Sequence, residues 1–392
     1  MEPLRSLFFC HVAQTSPAPL GIEIEHAEGI FLYGPGGQKY LDLISGISVS
    51  NLGHGHPQVI KAIQEQAANY LHLLVYGEMV QAPQVKLAAL LCSLLPPSLN
   101  SVYFVNSGAE AVEGALKLAK RYTHRTELVC LKQAYHGSTH GALSVMGEET
   151  LKQPFRPLLP GVRQIHLNKT DELELVTRKT AAVIIEPVQG EAGVRVAEPE
   201  YLKALRLRCD EMGCLLIFDE IQSGLGRTGK LFAFENSGVV PDILLVAKAF
   251  GGGMPLGAFV ASREIMQSLA QDPALGHITT FGGHPVCCAA GLASLQEICS
   301  TRIFESVPEK EQIFRETLVH PAVQEIRSAG LLMAVELGSA AKVQDTIKKC
   351  LQLGLITDWF LFCDTALRIA PPLIISPEEI KLAAKIILEA LD

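Results

Sequence analysis

The chain has 392 residues, of which 48% are hydrophobic and 19% are charged, and its formal net charge is −8. This length predicts two or three domains, or one large α/β domain with a smaller partner. The negative charge and the lack of a basic patch exclude nucleic acid as the expected partner, because phosphate contacts need clustered Lys and Arg.

The cysteines and the apolar runs indicate where in the cell the protein is expected. Ten cysteines are scattered along the chain without a Cys-x-x-Cys pair, so we expect reduced thiols rather than a disulfide scaffold. The N-terminal segment has a short apolar patch but no signal core, and no apolar run reaches membrane-spanning length. We therefore expect a soluble cytoplasmic protein without a membrane partner.

Between about residues 100 and 260, short apolar runs alternate with helical patterns. The helix predicted over 109–122 has an apolar stripe. The runs are apolar at both alternating sets of positions, which indicates a parallel or mixed sheet covered on both faces. The strands predicted are 102–105, 128–131, 182–185, 215–218, 243–246 and 257–260. This pattern predicts an α/β domain with short crossovers.

After about residue 285 the pattern changes to a smaller α+β domain. Helices are predicted at 286–299, 308–318, 341–353 and 377–391, around strands that include 331–337 and 367–370. The N-terminal fifty residues are expected to join this part. The predicted division is therefore a large domain over 51–285 and a small domain formed by 1–50 and 286–392.

Three of the predicted strands end at conspicuous polar groups. The run at 215–218 is followed by Asp219, the run at 243–246 leads to Lys248, and the run at 102–105 leads to Ser107 and Gly108 at the start of a helix. Because parallel strands present their carboxyl ends at one edge of a sheet, these groups are expected to converge on one crevice.

Each of these groups has a structural and a functional interpretation. Ser107, with Glu110 three residues later, fits a capped helix or an anion site. Asp219 could be a salt-bridged acid or could hold a proton on a heteroaromatic nitrogen. Lys248 could extend to water or could be a desolvated amine nucleophile. Pyridoxal 5′-phosphate uses all three groups together, so the set predicts this cofactor.

Five segments also carry a family resemblance. Residues 41–57, 105–119, 184–194, 219–229 and 246–258 resemble, in this order, the class III pyridoxal-phosphate aminotransferases, such as the ornithine, acetylornithine and 4-aminobutyrate enzymes. The resemblance implies fold type I, with a mostly parallel seven-stranded sheet, in a homodimer with shared active sites. It also implies transfer of an amino group from an ω-amine, ornithine-like or 4-aminobutyrate-like donor to 2-oxoglutarate, through a Lys248 Schiff base and pyridoxamine phosphate.

The resemblance further implies a role for each matching residue. Lys248 and Asp219 would be catalytic, with Asp219 on the cofactor's ring nitrogen. The other cofactor contacts implied are Ser107, Gly108 and Ala109 at the phosphate, Tyr135 and Ile221 on the two ring faces, His136 beside the ring, Gln222 at the phenolic oxygen, and Thr280 from the neighbouring subunit. Arg368 would bind a substrate carboxylate, and Glu191 would pair with Arg368 when an ω-amine donor enters.

Three of the positions that depart from the family pattern leave the donor open. Ser138 stands where these enzymes usually have an arginine that binds a substrate carboxylate, and Phe31 and Ile47 lack the hydroxyl groups of a dedicated ornithine enzyme. We count all three among the expected substrate-binding positions, with Arg368 and Glu191. One hypothesis is that Arg163 or Arg195 compensates for Ser138.

Alternative functions remain open on the sequence. Residues 224–231 match most of a nucleotide phosphate-binding loop, although Leu231 replaces the residue that holds magnesium. His54 and His56 lack the other ligands of a metal site, so no metal is expected. Within the family, an aminomutase, a racemase or a decarboxylase is the main alternative, and a non-enzymatic pyridoxal-binding protein would be expected to lack Lys248 or Asp219.

Overall fold

The computed structural model describes residues 3–392, so residues 1 and 2 of the predicted small domain lie outside it. In chain order, the α-helices are α1 Leu4–His11, α2 Ser45–Ser48, α3 Pro57–Asn69, α4 Ala82–Ser93, α5 Gly108–Thr123, α6 His140–Ser144, α7 Glu149–Lys152, α8 Pro199–Met212, α9 Arg263–Gln267, α10 Pro285–Thr301, α11 Val307–Thr317, α12 Ala340–Gln352 and α13 Pro377–Leu391. Short 3-10 helices span Gln153–Phe155, Thr170–Leu175, Ala233–Asn236, Lys248–Gly251, Ser268–Ala270 and Ile303–Ser306.

The strands form one seven-stranded sheet, two four-stranded sheets and one two-stranded sheet. They are β1 His26–Glu28, β2 Phe31–Tyr33, β3 Lys39–Asp42, β4 Ser101–Val105, β5 Glu127–Leu131, β6 Val162–Ile165, β7 Thr180–Ile185, β8 Val188–Gln189, β9 Arg195–Val196, β10 Leu215–Asp219, β11 Ile243–Val246, β12 Gly257–Ala261, β13 Glu325–Ser328, β14 Met333–Glu336, β15 Leu355–Ile356, β16 Trp359–Phe360 and β17 Cys363–Ile369.

The largest sheet has seven strands in the order β4-β12-β11-β10-β7-β5-β6. The pairs β11–β10, β10–β7, β7–β5 and β5–β6 are parallel, and β12 is antiparallel to both of its neighbours. All six strands predicted between residues 100 and 260 are present, and the mostly parallel seven-stranded sheet is confirmed. The edge strand β6 completes the sheet and was not among the predicted strands.

The sheet is covered on both faces, as its continuously apolar strands require. Alternate residues of one strand point to opposite faces. On β10, Leu216 and Phe218 therefore join one buried cluster, whereas Leu215 and Ile217 join another, which includes the apolar face of α5. The sheet is held between two apolar layers, so its strand ends, rather than its faces, are free to carry polar groups.

The N-terminal strands pair with the C-terminal part of the chain. Strands β1, β2 and β3 form a four-stranded sheet with β15, and β13, β14, β17 and β16 form another. Leu41 and Leu43 share a buried cluster with Val335 and Leu367. The predicted boundaries at residues 50 and 285 remain predictions. None of the helices within residues 3–392 is long and apolar enough to cross a membrane.

Candidate active site

A cavity of about 630 Å³ opens at the carboxyl ends of β4, β10 and β11. Its size falls in the usual range for a small-molecule site. The structure brings ten of the residues predicted from the sequence into its lining: Ser107, Gly108, Ala109, Tyr135, His136, Ser138, Asp219, Ile221, Gln222 and Lys248. The strand-end groups therefore meet in one place, as the parallel sheet requires.

Lys248 lies just after β11, at the start of a 3-10 helix, and its backbone has an uncommon conformation. Its φ is 50°, in the left-handed region, which costs a residue with a side chain about 1–2 kcal/mol. Burial lowers the pKa of its ammonium group and Arg368 lowers it further, although Glu191, Asp219 and Glu186 oppose the shift. A lowered pKa increases the neutral fraction of the amine, which is the nucleophilic form.

Asp219 ends β10 and is held by two donors. Its Oδ2 lies 2.7 Å from His136 Nδ1, and its Oδ1 accepts a hydrogen bond from the Ile221 backbone N–H at 3.0 Å. Asp219 is 4% exposed. A buried carboxylate that is fixed by its neighbours can interact strongly with a cationic ring nitrogen.

The first turn of α5 offers an anion site. Ser107 Oγ accepts the Glu110 N–H at 3.1 Å, so the predicted helix cap is present, but Glu110 itself accepts the N–H of Asn106. The N–H groups of Gly108 and Ala109 have no acceptor within the described residues. A Cβ on Gly108 would lie 2.9 Å from Ile221 Cδ1, so a larger residue would require the Ile221 side chain to shift. Free N–H groups at a helix start suit a phosphate.

A further unpaired donor supports the fit of the predicted cofactor. Gln222 is buried, and its Nε2 has no hydrogen-bond acceptor within residues 3–392. An unpaired buried amide is costly unless a ligand oxygen takes the hydrogen bond. The amine, the carboxylate, the helix start and this amide match the aldehyde, the ring nitrogen, the phosphate and the phenolic oxygen of pyridoxal phosphate. The residues present therefore fit this cofactor.

The sequence interpretation missed Glu186, which also lines the cavity. Glu186 directly follows β7, and its carboxylate accepts the N–H of Tyr135 at 3.0 Å. Burial raises its pKa well above the usual value, and the nearby charge of Asp219 adds to the shift. Because β7 is adjacent to β10, the strand-end argument that identified Asp219 could also have identified Glu186.

Arg368 and Glu191 form a bidentate ion pair. Arg368 Nη1 and Nη2 lie 2.8 and 2.9 Å from the two Glu191 oxygens, and Arg368 is 2% exposed. Burial acts to raise the pKa of Glu191, but the charge of Arg368 and its hydrogen bonds outweigh burial, so the pKa of Glu191 is lowered. Neither residue is part of the cavity lining, although both lie close enough to influence the pKa of Lys248.

Three further predicted residues lie outside the cavity lining of this chain. Phe31 is on β2, with Lys39 Nζ 3.6 Å from its ring centre, and Ile47 is in the short helix α2. Thr280 is exposed on the segment before α10. The roles of Phe31 and Ile47 in substrate binding, and of Thr280 in the neighbouring subunit, stay predictions.

The hypothesis that Arg163 or Arg195 compensates for Ser138 finds no support in the geometry of this chain and stays a prediction. Arg163 is exposed on β6 and pairs with Glu127, and Arg195 is exposed on β9, where its Nε donates to the Ala192 carbonyl. Neither arginine lines the cavity. The sequence could not indicate whether these arginines lie near the cavity, because an arginine outside a recognised motif is most often a surface residue.

The segment 224–231 does not have the geometry of a nucleotide loop. It forms turns and bends and is followed only by the 3-10 helix Ala233–Asn236, whereas a phosphate-binding loop leads into the N-terminus of an α-helix. Arg227 is fully buried and donates to the carbonyl groups of Leu331 and Pro371 and to the Asn51 side chain. The segment therefore serves to join distant parts of the fold.

Comparisons with known proteins agree with this geometry. The family model described as "Aminotransferase class-III" matches residues 12–391. Acetylornithine aminotransferase from Methanocaldococcus jannaschii is 41% identical, over 92% of this chain and 91% of the relative. The enzyme of the same name from Caldanaerobacter subterraneus subsp. tengcongensis is 40% identical, over 93% of each chain.

Solved structures match almost the whole chain. The ornithine aminotransferase of Toxoplasma gondii, described with pyridoxal phosphate partially occupying its active site, has a TM-score of 0.91 and 30% identity, and the match covers 99% of this chain and 94% of that one. Adenosylmethionine-8-amino-7-oxononanoate aminotransferase from M. jannaschii has a TM-score of 0.92 and 28% identity, with 99% and 98% covered. Relatives that act on different amines thus share one fold.

Proposed function

Because the chain belongs to the class III aminotransferase family and pyridoxal phosphate is its cofactor, we propose that it moves an amino group from an ω-amine donor to 2-oxoglutarate. The observation that carries the proposal is the meeting of Lys248, Asp219 and the start of α5 on one cavity. An acetylornithine-like donor is favoured over other ω-amines, because relatives of about 40% identity bear the name acetylornithine aminotransferase. The same names favour transamination over aminomutase, racemase or decarboxylase chemistry.

Two residues would act directly in the reaction. When bound, pyridoxal phosphate supplies an aldehyde that takes up amines and a ring that withdraws electrons. Lys248 Nζ would hold that aldehyde covalently and, when released by a substrate amine, would move the proton from the substrate carbon. Asp219 would hold a proton on the ring nitrogen, and His136, 2.7 Å away, would fix the orientation of the carboxylate.

The remaining residues of the lining would position the cofactor. Ser107, Gly108 and Ala109 would bind the phosphate at the start of α5, and Thr280 of a second subunit would add a hydroxyl donor. Tyr135 and Ile221 would enclose the ring from its two faces, and Gln222 would donate its unpaired amide to the phenolic oxygen. This enclosure would keep water from the reacting carbon.

Arg368 and Glu191 would sort the two substrates. For glutamate and 2-oxoglutarate, Glu191 would leave and Arg368 would bind the carboxylate beside the reacting carbon through its two Nη groups. For an ω-amine donor, whose reacting carbon bears no carboxylate, the pair would stay closed. One site could thus accept both types of substrate.

The donor is tested by supplying 2-oxoglutarate with one amine at a time and measuring the glutamate formed. We expect N-acetylornithine to give the highest kcat/KM among N-acetylornithine, ornithine and 4-aminobutyrate. Glutamate formation from none of them, with product formed from pyruvate instead, would contradict the proposed 2-oxoglutarate couple.

Replacing Ser138 by arginine should lower the KM for glutamate and 2-oxoglutarate. A charged hydrogen bond contributes about 1.5–3 kcal/mol, which corresponds to roughly tenfold or more in KM. Ser138 is exposed on the cavity wall, with its hydroxyl 3.4 Å from that of Tyr135, so the longer side chain has room. Steady-state kinetics should show no such gain for Ser138→Gln, and an unchanged KM in Ser138→Arg would refute the idea.

We also propose that the active enzyme is a homodimer. The segments around residues 71–80 and 278–281 lie next to each other, since the His72 ring centre is 4.8 Å from that of Phe281. The exposed apolar residues there are Leu71, Leu73, Leu74, Met79, Val80, Ile278 and Phe281. An apolar area of this kind is typical of a surface covered by a partner, and Thr280 belongs to the same segment. Sedimentation should give twice the mass of one chain, and a fully active monomer would contradict the proposal.

A cytoplasmic location is proposed on the state of the cysteines. All ten are free thiols, and six of them are buried. Such a set is typical of proteins kept in a reducing compartment.

A further inference from the structure

Arg368 has a second carboxylate partner that the sequence did not reveal. Besides the bidentate pair with Glu191, its Nε lies 2.8 Å from Asp358 Oδ1, and its Nη2 donates to the Trp359 carbonyl at 2.9 Å. Glu191 occupies the two Nη groups and Asp358 occupies the Nε side. The contact with Asp358 is a close ion pair without hydrogen-bond geometry, because neither Arg368 Nε nor Asp358 Oδ1 has a hydrogen-bond partner within residues 3–392.

The two carboxylates are held by different parts of the chain. Asp358 directly precedes β16, which pairs with β17, the strand of Arg368. The Arg368 backbone N–H donates to the Asp358 carbonyl at 2.9 Å, and the guanidinium carbon lies 4.5 Å from the ring centre of Phe360. Glu191 instead comes from the turn that joins β8 and β9. The Glu191 Oε2 also accepts the Leu361 backbone N–H at 3.1 Å, so release of Glu191 from Arg368 would break that contact as well, whereas Asp358 would stay beside Arg368 through the pairing of β16 with β17.

We propose that Asp358 is a permanent second counter-ion of Arg368 that weakens the binding of substrate carboxylates there, so that the site favours substrates that leave Arg368 paired with Glu191. This inference rests on the proposed function, in which Arg368 binds the carboxylate beside the reacting carbon. Asp358 acts through Arg368 and is a specificity-determining residue.

The direction of the effect follows from the charges. Arg368 carries one positive charge and faces two negative ones. A substrate carboxylate comes from bulk water and meets the full repulsion of Asp358, whereas Glu191 moves away by no more than the reach of its own side chain. Binding a carboxylate at Arg368 thus adds an anion beside Asp358, while the departure of Glu191 relieves only a small part of its repulsion with Asp358.

The surroundings of Asp358 support this crowding of negative charge. Burial raises the pKa of Asp358 to about 6, and the charges of Glu191 and Asp42 add to the shift against the attraction of Arg368. The Asp358 side chain is 21% exposed, so its charge is only partly screened by water.

Asp358→Asn removes the charge at nearly constant shape and tests the proposal. The probe is glutarate, a dicarboxylate that cannot react, titrated calorimetrically into the enzyme loaded with pyridoxal phosphate. We expect the variant to bind glutarate about three- to tenfold more tightly than the unchanged enzyme. The KM for 2-oxoglutarate should fall by a similar factor, and it should fall more than the KM for an ω-amine donor. Asp345→Asn, at an exposed carboxylate on α12, is the matched control and should change nothing.

Unchanged or weaker binding of glutarate would overturn the proposal, because weaker binding would mean that Asp358 orients Arg368 instead of opposing its ligand. If Asp358→Asn does not fold, Asp358→Ser removes the same charge and should show the same tightening. The glutarate titration needs no turnover. Tighter glutarate binding in an enzyme that transaminates no donor would therefore reject the proposed function alone.

Discussion

Replacing Lys248 by alanine is expected to lower kcat by about 10³-fold or more. The variant loses both the amine that would hold the cofactor and the base that would move the substrate proton, and a positioned acid–base group alone contributes about 10²–10⁴-fold. The fold should survive, because alanine relieves a crowded ammonium group whose pKa is lowered by burial. The measurement is the initial rate of glutamate formation at saturating substrates.

Reduction with borohydride tests directly whether Lys248 is the residue that holds the cofactor. Reduction with borohydride should attach the cofactor to a peptide that contains Lys248 in the unchanged enzyme and should give no labelled peptide in Lys248→Ala. Lys230→Ala is the matched control, since Lys230 is an exposed lysine in the glycine-rich segment 224–231. Wild-type turnover in Lys248→Ala, or a label on another lysine, would refute the assignment.

Asp219→Asn should reduce kcat by about 10²–10³-fold while the protein still binds the cofactor. The asparagine oxygen can still accept the Ile221 N–H, but the negative charge that would hold a proton on the ring nitrogen is gone. Loss of one preorganised electrostatic partner has an effect of about this size. Single-turnover rates with saturating donor measure the chemical step directly.

The control for Asp219→Asn is Asp210→Asn, at an exposed carboxylate on α8 that pairs with Arg206. Its single-turnover rate should equal that of the unchanged enzyme. A full rate in Asp219→Asn would mean that the carboxylate is a structural partner of His136 and has no part in the chemistry.

The strand-end residues were predictable because one physical rule governs them. Parallel strands end at the same edge of a sheet, so Asp219, Lys248 and Ser107 had to lie together once their strands were identified. The same rule would have found Glu186 after β7. Strand β6 was not predicted because it lies at the edge of the sheet, and its four residues include two adjacent polar ones, Arg163 and Gln164, where the other strands are mostly apolar.

Asp358 could not be predicted in the same way. It stands before a strand of two residues, and the pairing of that strand with β17 has a register shift. A short strand carries no periodicity, so its register, and with it the contact between Asp358 and Arg368, depends on tertiary packing. Phe31, Ile47 and Thr280 rest on the family resemblance alone, and for Thr280 the predicted site includes a second subunit.

The central claim is that this cavity takes up an amino group from a substrate, and the most direct measurement is the visible absorbance of the enzyme loaded with pyridoxal phosphate during titration with L-glutamate. We expect the absorbance of the bound cofactor to fall, with one equivalent of 2-oxoglutarate released per site, and to return when 2-oxoglutarate is added in excess. An absorbance that neither glutamate nor N-acetylornithine changes would contradict the account.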